Sequence, residues 1–122
     1  YQGPGVFIAG GAGITPFLAI LRDLAGRGEL DGQTLMFSSK TPRDVICEKE
    51  LRHILGDRCL LTCTGAAAPG YEQRRIDRAF LEEKIQDFKQ RFYVCGPPPF
   101  MEAVNTALAD LGASAESLVF ER

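Results

Sequence analysis

Apolar runs of strand length alternate with stretches of helical period along the whole of this 122-residue chain. Such an alternation is typical of a parallel sheet whose strands are joined by crossover helices. The five predicted strands are Val6–Ala9, Thr34–Ser38, Cys59–Thr64, Phe92–Cys95 and Leu118–Phe120. We therefore expect an α/β fold, a doubly wound five-stranded parallel sheet with helices on both faces and the strand order 3-2-1-4-5 that is common among such sheets.

Four helices are predicted between these strands. The first begins at Pro16, whose fixed φ is already helical, with Thr15 as its N-cap and with Gly26 and Gly28 at its end. The other three predicted helices cover Ile46–Leu55, a stretch from the N-cap Asp77 through Phe88, and Pro99–Leu111 with Gly112 as the stop.

Length and charge limit the chain to one domain and exclude some partners. At 122 residues it is large enough for one core but too small for two. A net charge of −2 gives no reason to expect nucleic acid or an anionic membrane. No run reaches the roughly 18 apolar residues of a membrane-spanning helix, and no signal peptide is present, so we expect a cytoplasmic protein. Because the chain begins at Tyr1 and its methionines are Met36 and Met101, we expect its natural start to lie upstream or to have been removed.

A glycine-rich run, GGAGITP at Gly10–Pro16, follows the first strand and opens the first helix. Free N–H groups in such a turn can hold a phosphate, and the helix dipole adds partial positive charge. Gly11 and Gly13 permit the tight turn and the close approach of a pyrophosphate. Pro16 takes the sixth place of the common GxGxxG fingerprint, and the lysine of a Walker loop is missing. The run predicts a dinucleotide-binding turn; glycines that merely make a strand-to-helix turn are the alternative.

A second run, CGPPP at Cys95–Pro99, ends the fourth strand and can face the same crevice. Gly96 stands where backbone passes close to another group, and the prolines stiffen the entry to the fourth helix. Cys95 is predicted at the mouth of the crevice, where its thiol either touches a nicotinamide ring or is an ordinary buried thiol. Together the two runs predict a domain that binds a nicotinamide dinucleotide.

Hydroxyl and basic side chains stand at the end of the second strand. They are Ser38, Ser39 and Lys40, with Arg43 nearby. Such groups suit a 2′-phosphate, although an ordinary solvated loop explains them as well. The longest irregular segment, Gly65–Ile76, is predicted as a wall of the site because loops at the carboxyl end of a parallel sheet bind ligands.

The remaining chemistry-bearing residues predict neither a metal site nor a competing catalytic centre. Cys47, Cys59 and Cys63 lack zinc-site spacing, and His53 has no partner at metal spacing. Cys59 and Cys63 are predicted on one strand, roughly 13 Å apart and beyond disulfide reach. We expect these three cysteines to be ordinary structural thiols.

Several segments, taken in order, match one family. GGAGITP resembles its pyrophosphate loop, FSSKTPRDVICEKEL at 37–51 its second strand and following loop, Arg75–Asp77 its GRID segment and CGPPPFM at 95–101 its CGPP signature. On these residues the chain resembles the NAD(P)-binding domain of the ferredoxin–NADP reductase superfamily, which includes flavodoxin, nitrate and microsomal cytochrome reductases. The resemblance covers nearly the whole chain, so residues 1–122 are expected to form one NAD(P)-binding domain.

The resemblance implies a flavin-binding domain upstream, absent from this chain, and hydride transfer from NAD(P)H to FAD or FMN. Electrons then pass to an acceptor, a protein or a small molecule, and this domain alone does not turn over. Cys95 would orient the nicotinamide near the flavin. The expected cofactor-binding residues are Gly10, Gly11, Ala12, Gly13, Ile14, Thr15, Pro16, Ser38, Ser39, Lys40, Thr64, Arg75, Cys95, Gly96, Pro97, Pro98, Phe100 and Met101.

Three questions stay open at this point. Thr64 and Gly65 stand where NADP-specific members of the family tend to carry Ser and Arg and NAD-specific members an acid, so coenzyme preference is undecided. Phe120 in SLVFER either reaches the flavin or belongs to the core. A module that senses NAD(P) without electron transfer, and an interaction domain that has lost its ligand, are the alternative functions.

Overall fold

The computed structural model describes residues 4–40, 48–65, 70–113 and 118–120, with side chains up to residue 113. The predictions for Arg43, Cys47 and the start of the second helix at Ile46, and that for the Phe120 side chain, lie outside this description. The strands are β1 (Gly5–Gly10), β2 (Thr34–Ser39), β3 (Cys59–Cys63), β4 (Arg91–Cys95) and β5 (Leu118–Phe120). The helices are α1 (Ile14–Gly26), α2 (Glu48–Leu55), α3 (Arg78–Lys84) and α4 (Pro98–Asp110).

The first four strands form a parallel sheet in the order β3-β2-β1-β4, and β5 pairs in parallel with β4. The α/β class and the order 3-2-1-4 of the sequence prediction are confirmed. The predicted bounds of these four strands differ from the observed ones by one residue at most at either end. Short apolar runs bounded by turn residues were therefore a sufficient signal for strands that are buried on both faces.

Side chains alternate between the two faces of the sheet, and each face has its own apolar cluster. On one face Phe7 stacks on Tyr93 with ring centroids 4.6 Å apart and meets Phe17 of α1 edge to face at 5.1 Å. On the other face Ile8 and Val94 pack with α3 and α4. Helices therefore cover both faces, α1 and α2 on the first and α3 and α4 on the second.

The first helix begins earlier than the sequence predicts. A 3-10 turn over Gly11–Gly13 runs directly into α1, and Gly13 is the N-cap with φ −62° and ψ −10°. Thr15 is therefore a residue of the first turn, and its prediction as N-cap was wrong. Gly13 already has helical backbone angles, so the helix starts without a side-chain cap.

The third helix starts as predicted but ends sooner. Asp77 is its N-cap, and the Asp77 carboxylate accepts a hydrogen bond of 2.9 Å from the Phe80 N–H. The helix stops at Lys84 because Ile85 is extended, with φ −111° and ψ 129°, so the prediction of a helix through Phe88 was wrong. Ile85 is still buried and Phe88 half-buried, so apolar side chains with a helix-like spacing join the core from an irregular segment.

The fourth helix begins at Pro98 rather than Pro99 and ends at Asp110, with Gly112 at φ +110° just beyond it.

Among the residues that the structure describes, no helix combines the length and the apolar character needed to cross a membrane.

Candidate functional site

The two glycine-containing runs meet where β1 and β4 end. Ala9 lies opposite Cys95 in the parallel register, so the residues that follow each strand leave the sheet side by side. The helix after β1 covers one face, and the helix after β4 covers the other. This is a topological switch point, where a crevice opens outside the carboxyl ends of the strands.

The start of α1 presents backbone donors to open space. Gly11 has φ +55°, and a Cβ built there would have no atom within 4 Å. Neither the 3-10 turn nor α1 has a side-chain cap, and neither has an acidic residue in its first turn. The Ile14 N–H donates to the Ala12 carbonyl, and no side-chain cap accepts from the other first N–H groups of the turn and of α1. The turn therefore offers hydrogen-bond donors and partial positive charge to an anion.

Gly13 serves a different purpose from Gly11. It is buried, and a Cβ at this position would overlap the Cys95 carbonyl and come within 2.7 Å of the Gly96 nitrogen. The absence of a side chain at Gly13 thus lets the start of α1 pack against the end of β4. Whether Gly13 also contacts a pyrophosphate stays a prediction.

The Phe100 ring joins the two runs. A Cβ at Gly10 would lie 2.9 Å from the ring, and a Cβ at Gly96 would lie 2.7 Å from it. The ring therefore rests on the backbone of both segments. Because Phe100 is half-buried and also lines the neighbouring cleft, it connects the glycine turn with that cleft.

The start of α4 is chemically unlike the start of α1. Its N-cap is Pro97, and Pro98 and Pro99 occupy its first two positions. Prolines have no N–H to donate, and the Met101 N–H already donates to the Pro97 carbonyl at 3.0 Å. The second run therefore shapes the edge of the crevice, while the donors for an anion come from α1.

A cleft of about 820 Å³ opens on the α3 and α4 side of this edge. Its size is in the range of small-molecule and cofactor sites. Its lining residues are Ser38, Thr64, Arg75, Ile76, Asp77, Arg78, Pro99, Phe100, Glu102, Ala103, Thr106, Ala107 and Asp110. Four of the residues predicted from the sequence, Ser38, Thr64, Arg75 and Phe100, are thus brought together around one space.

Other predicted residues lie off this cleft. Ser39 is buried, with its hydroxyl 3.8 Å from the Cys63 sulfur, and Lys40 is exposed beyond the lining residues. Cys95 is 9% exposed and belongs to the cluster on the α1 face, the opposite side of the sheet. A ligand that touches both the cleft and Cys95 must therefore cross the edge of the sheet over the glycine turn. Met101 is half-buried and packs on the core of the α4 face.

One wall of the cleft was not predicted from the sequence: the face of α4 that carries Ala103, Thr106 and Ala107. Small residues give no chemical signal of a site. Their three- and four-residue spacing after Pro99 places them on one side of the helix, beside the core positions Val104 and Leu108. That spacing is the one sequence signal that could have found this wall.

Cys59 and Cys63, which lie outside the two glycine-containing runs, are part of the protein interior. Cys59 and Cys63 are free and buried. Burial raises the pKa of the Cys59 thiol to about 11; the charge of Arg52 lowers this pKa by a smaller amount and that of Glu48 raises it, so the thiol stays protonated at neutral pH. His53 is exposed, and the described residues contain no group of three side chains that could hold a metal ion.

Comparison with known proteins gives one family match. The model of the oxidoreductase NAD-binding domain matches residues 7–106. The chain is 29% identical over 117 residues to the glycine betaine monooxygenase reductase subunit of Chromohalobacter salexigens, covering 88% of this chain and 32% of that protein. It is 28% identical over 119 residues to NADH-cytochrome b5 reductase 2 of Mycosarcoma maydis, covering 89% of this chain and 34% of that protein.

A solved structure agrees with these matches. The flavohem-like FAD/NAD binding domain of nitric oxide dioxygenase from Vibrio cholerae superposes with a TM-score of 0.88 at 26% identity, covering 99% of this chain and 51% of that chain. The chain spans about a third of the length of the two curated relatives.

Proposed function

This chain belongs to the family of oxidoreductase NAD-binding domains, and on that premise we propose that it positions NAD(P)H for hydride transfer to FAD or FMN on a separate flavin-binding domain. The nicotinamide supplies a hydride, and the flavin accepts it and passes electrons on. The names of the relatives support this proposal, since they describe a reductase subunit, a cytochrome b5 reductase and an FAD/NAD binding domain.

The observation that carries the proposal is the uncapped start of α1 beside the cleft. Backbone N–H groups of the 10–16 run bind the pyrophosphate, and the cleft takes the adenosine end. Cys95, Gly96 and Pro97 then lie on the nicotinamide side of the edge. The contribution of this chain is alignment of the coenzyme, which lowers the entropic cost of bringing two reacting rings together.

For the whole protein, the proposal includes a flavin-binding domain and an electron acceptor. A flavin-binding domain would dock at the carboxyl edge of the sheet, where the nicotinamide must be exposed, and an acceptor would receive electrons from the flavin. The parallel pairing of Leu118 with Phe92 supports β5 as the fifth strand of the intact sheet. Cytoplasmic location stays a prediction from the sequence. None of the relatives described above is named as a nucleotide sensor, so the sensing alternative has no support from them.

Thr15→Glu tests the pyrophosphate assignment, because its expected effects on stability and on binding have opposite signs. Thr15 is exposed in the first turn of α1. A carboxylate there interacts favourably with the helix dipole by about 0.3–1 kcal/mol, so Tm should stay the same or rise. The same carboxylate repels a pyrophosphate, so calorimetric titration should show NAD⁺ and NADP⁺ affinities both reduced by about tenfold.

Ala19→Glu is the matched control, since Ala19 is exposed on α1 one turn further along. It should leave both affinities unchanged. Unchanged binding in Thr15→Glu, or an equal loss in Ala19→Glu, would show that the start of α1 does not hold the pyrophosphate.

A further inference from the structure

Two consecutive arginines, Arg74 and Arg75, precede α3, and Arg74 makes contacts that stabilise the fold. The Arg74 guanidinium lies 2.9 Å from a carboxylate oxygen of Glu83. It also lies 4.8 Å above the centre of the buried Phe80 ring. Both contacts hold Arg74 against α3, so its charge is already compensated.

Arg75 is the cation that the cleft leaves available. It is exposed, it lines the cleft, and within the described ranges it makes no ion pair. The other cleft arginine, Arg78, lies 3.7 Å from a carboxylate oxygen of Asp110. A ligand in the cleft therefore meets one guanidinium whose charge is not matched by a partner.

Hydroxyl groups stand at the neighbouring strand ends of the same cleft. Ser38 is the penultimate residue of β2, and Thr64 follows β3. The Thr64 N–H donates to the Ser39 carbonyl at 2.9 Å, which fixes the two strand ends side by side. A carboxylate at such a strand end accepts hydrogen bonds from the free ribose hydroxyls of NAD. Neither strand end here carries one.

Two of the three acidic groups that line the cleft already have partners. An oxygen of Asp77 accepts the Phe80 N–H as the cap of α3, and Asp110 is paired with Arg78. Glu102, on the α4 wall, is exposed and makes no ion pair among the described residues. The site thus combines an uncompensated guanidinium with neutral hydroxyls, the groups that complement a phosphate monoester.

We propose that Arg75 makes this domain selective for NADPH by binding the 2′-phosphate of its adenosine ribose, with Ser38 and Thr64 as neutral donors beside it. The inference rests on the proposed function and names which of its two coenzymes the cleft takes. Arg75 is a specificity-determining residue, remote from the hydride, and Glu102 opposes it because its negative charge lines the same space.

The test is calorimetric titration of this 122-residue chain with NADP⁺, NAD⁺, 2′,5′-ADP and 5′-AMP. Wild-type protein should bind NADP⁺ about tenfold or more tightly than NAD⁺, and 2′,5′-ADP more tightly than 5′-AMP, because a charge-assisted pair is added in each case. Arg75→Gln should remove this preference while NAD⁺ affinity stays within about twofold. The preference should also weaken as salt is raised from about 0.05 to about 0.5 M.

Two further variants make the test specific. Arg74→Gln breaks the contacts with Glu83 and Phe80, so it should lower Tm but leave the ratio of NADP⁺ to NAD⁺ affinity unchanged. Glu102→Gln removes the opposing charge, so it should tighten NADP⁺ binding more than NAD⁺ binding.

The outcomes separate this inference from the function on which it rests. Equal wild-type affinities that Arg75→Gln does not change would overturn the role of Arg75 and leave the proposed function standing. An equal loss of both coenzymes in Arg75→Gln would place Arg75 at the pyrophosphate and also overturn it. Absence of binding by all four nucleotides would overturn the proposed function itself.

Discussion

Gly11 and Gly13 stand two residues apart and need the absence of a side chain for different reasons. Gly11 has a left-handed backbone at φ +55° but open space where a Cβ would project. Gly13 has an ordinary helical backbone, but the Cys95 carbonyl occupies the place of its Cβ. A substitution at Gly11 is therefore opposed by local backbone strain, and one at Gly13 by the packing of α1 against β4.

Gly13→Ala should consequently be the more damaging of two matched substitutions. Forcing a methyl group into the Cys95 backbone should cost about 2–3 kcal/mol, as overpacking does in a close-packed interior. Gly11→Ala should cost about 1–2 kcal/mol, the price of a left-handed alanine. Urea denaturation of both variants measures the difference. Equal midpoints, or a less stable Gly11→Ala, would contradict the packing role of Gly13.

At the level of elements, the stability of α3 depends on its N-cap residue, Asp77, more than on its length. It has seven residues, too few for a helix that is stable by itself, and Asp77 supplies its N-terminal cap. Phe80 and Leu81 fix the helix to the sheet face, and both are fully buried. The cap therefore sets where the helix begins, and with it the position of the segment 75–78 that lines the cleft.

Asp77→Ala should lower the free energy of unfolding by about 1 kcal/mol, the usual cost of losing such a cap. Asp77→Asn is the control, because an asparagine side chain can still accept from the Phe80 N–H and should recover most of that loss. Thermal unfolding of both variants followed by circular dichroism tests this. A Tm that is equally lowered in both would show that the charge of Asp77 matters and the cap does not.

Elements whose signal is local were predictable from the sequence, and elements decided by tertiary contacts were not. The buried strands and the Asp77 cap follow from short patterns, and the structure confirms them. The end of α3 does not, because Ile85 and Phe88 keep a helical spacing although the chain there is irregular. The same distinction holds for the site. Its glycines and arginines were predictable because their residue types indicate phosphate binding. The alanine-rich face of α4 was not, because it lines the cleft only through the packing of α3 opposite it.

The whole molecule is organised around β1. This strand hydrogen-bonds to β2 on one side and to β4 on the other, and all six of its residues are buried. Phe7 and Ile8 point to opposite faces and belong to the two different apolar clusters, and both are fully buried. Opening either face therefore disturbs the same strand, so the two clusters should unfold together.

Hydrogen exchange should reflect this arrangement. Amides of β1 and of the adjoining part of β4 should exchange slowest, with opening free energies close to that of global unfolding, because they are released by global opening. Amides of α2, which has Leu51 and Leu55 as its buried residues, should exchange faster. Native-state exchange measured by NMR over increasing denaturant tests this. Faster exchange in β1 than in α2 would place the stable centre elsewhere.

The position of the Phe100 ring on Gly10 and Gly96 also bears on the stage of folding at which this protein can bind its coenzyme. Gly96 and Phe100 lie 86 and 90 residues from Gly10 along the chain, so contact of the ring with both glycines requires that β1 and β4 have paired. If the cleft binds the coenzyme as proposed, a partly folded chain that lacks α4 has no complete coenzyme site. Coenzyme captured during synthesis would therefore report a finished fold, and by mass action it would protect finished molecules from degradation while leaving incomplete ones to the proteases.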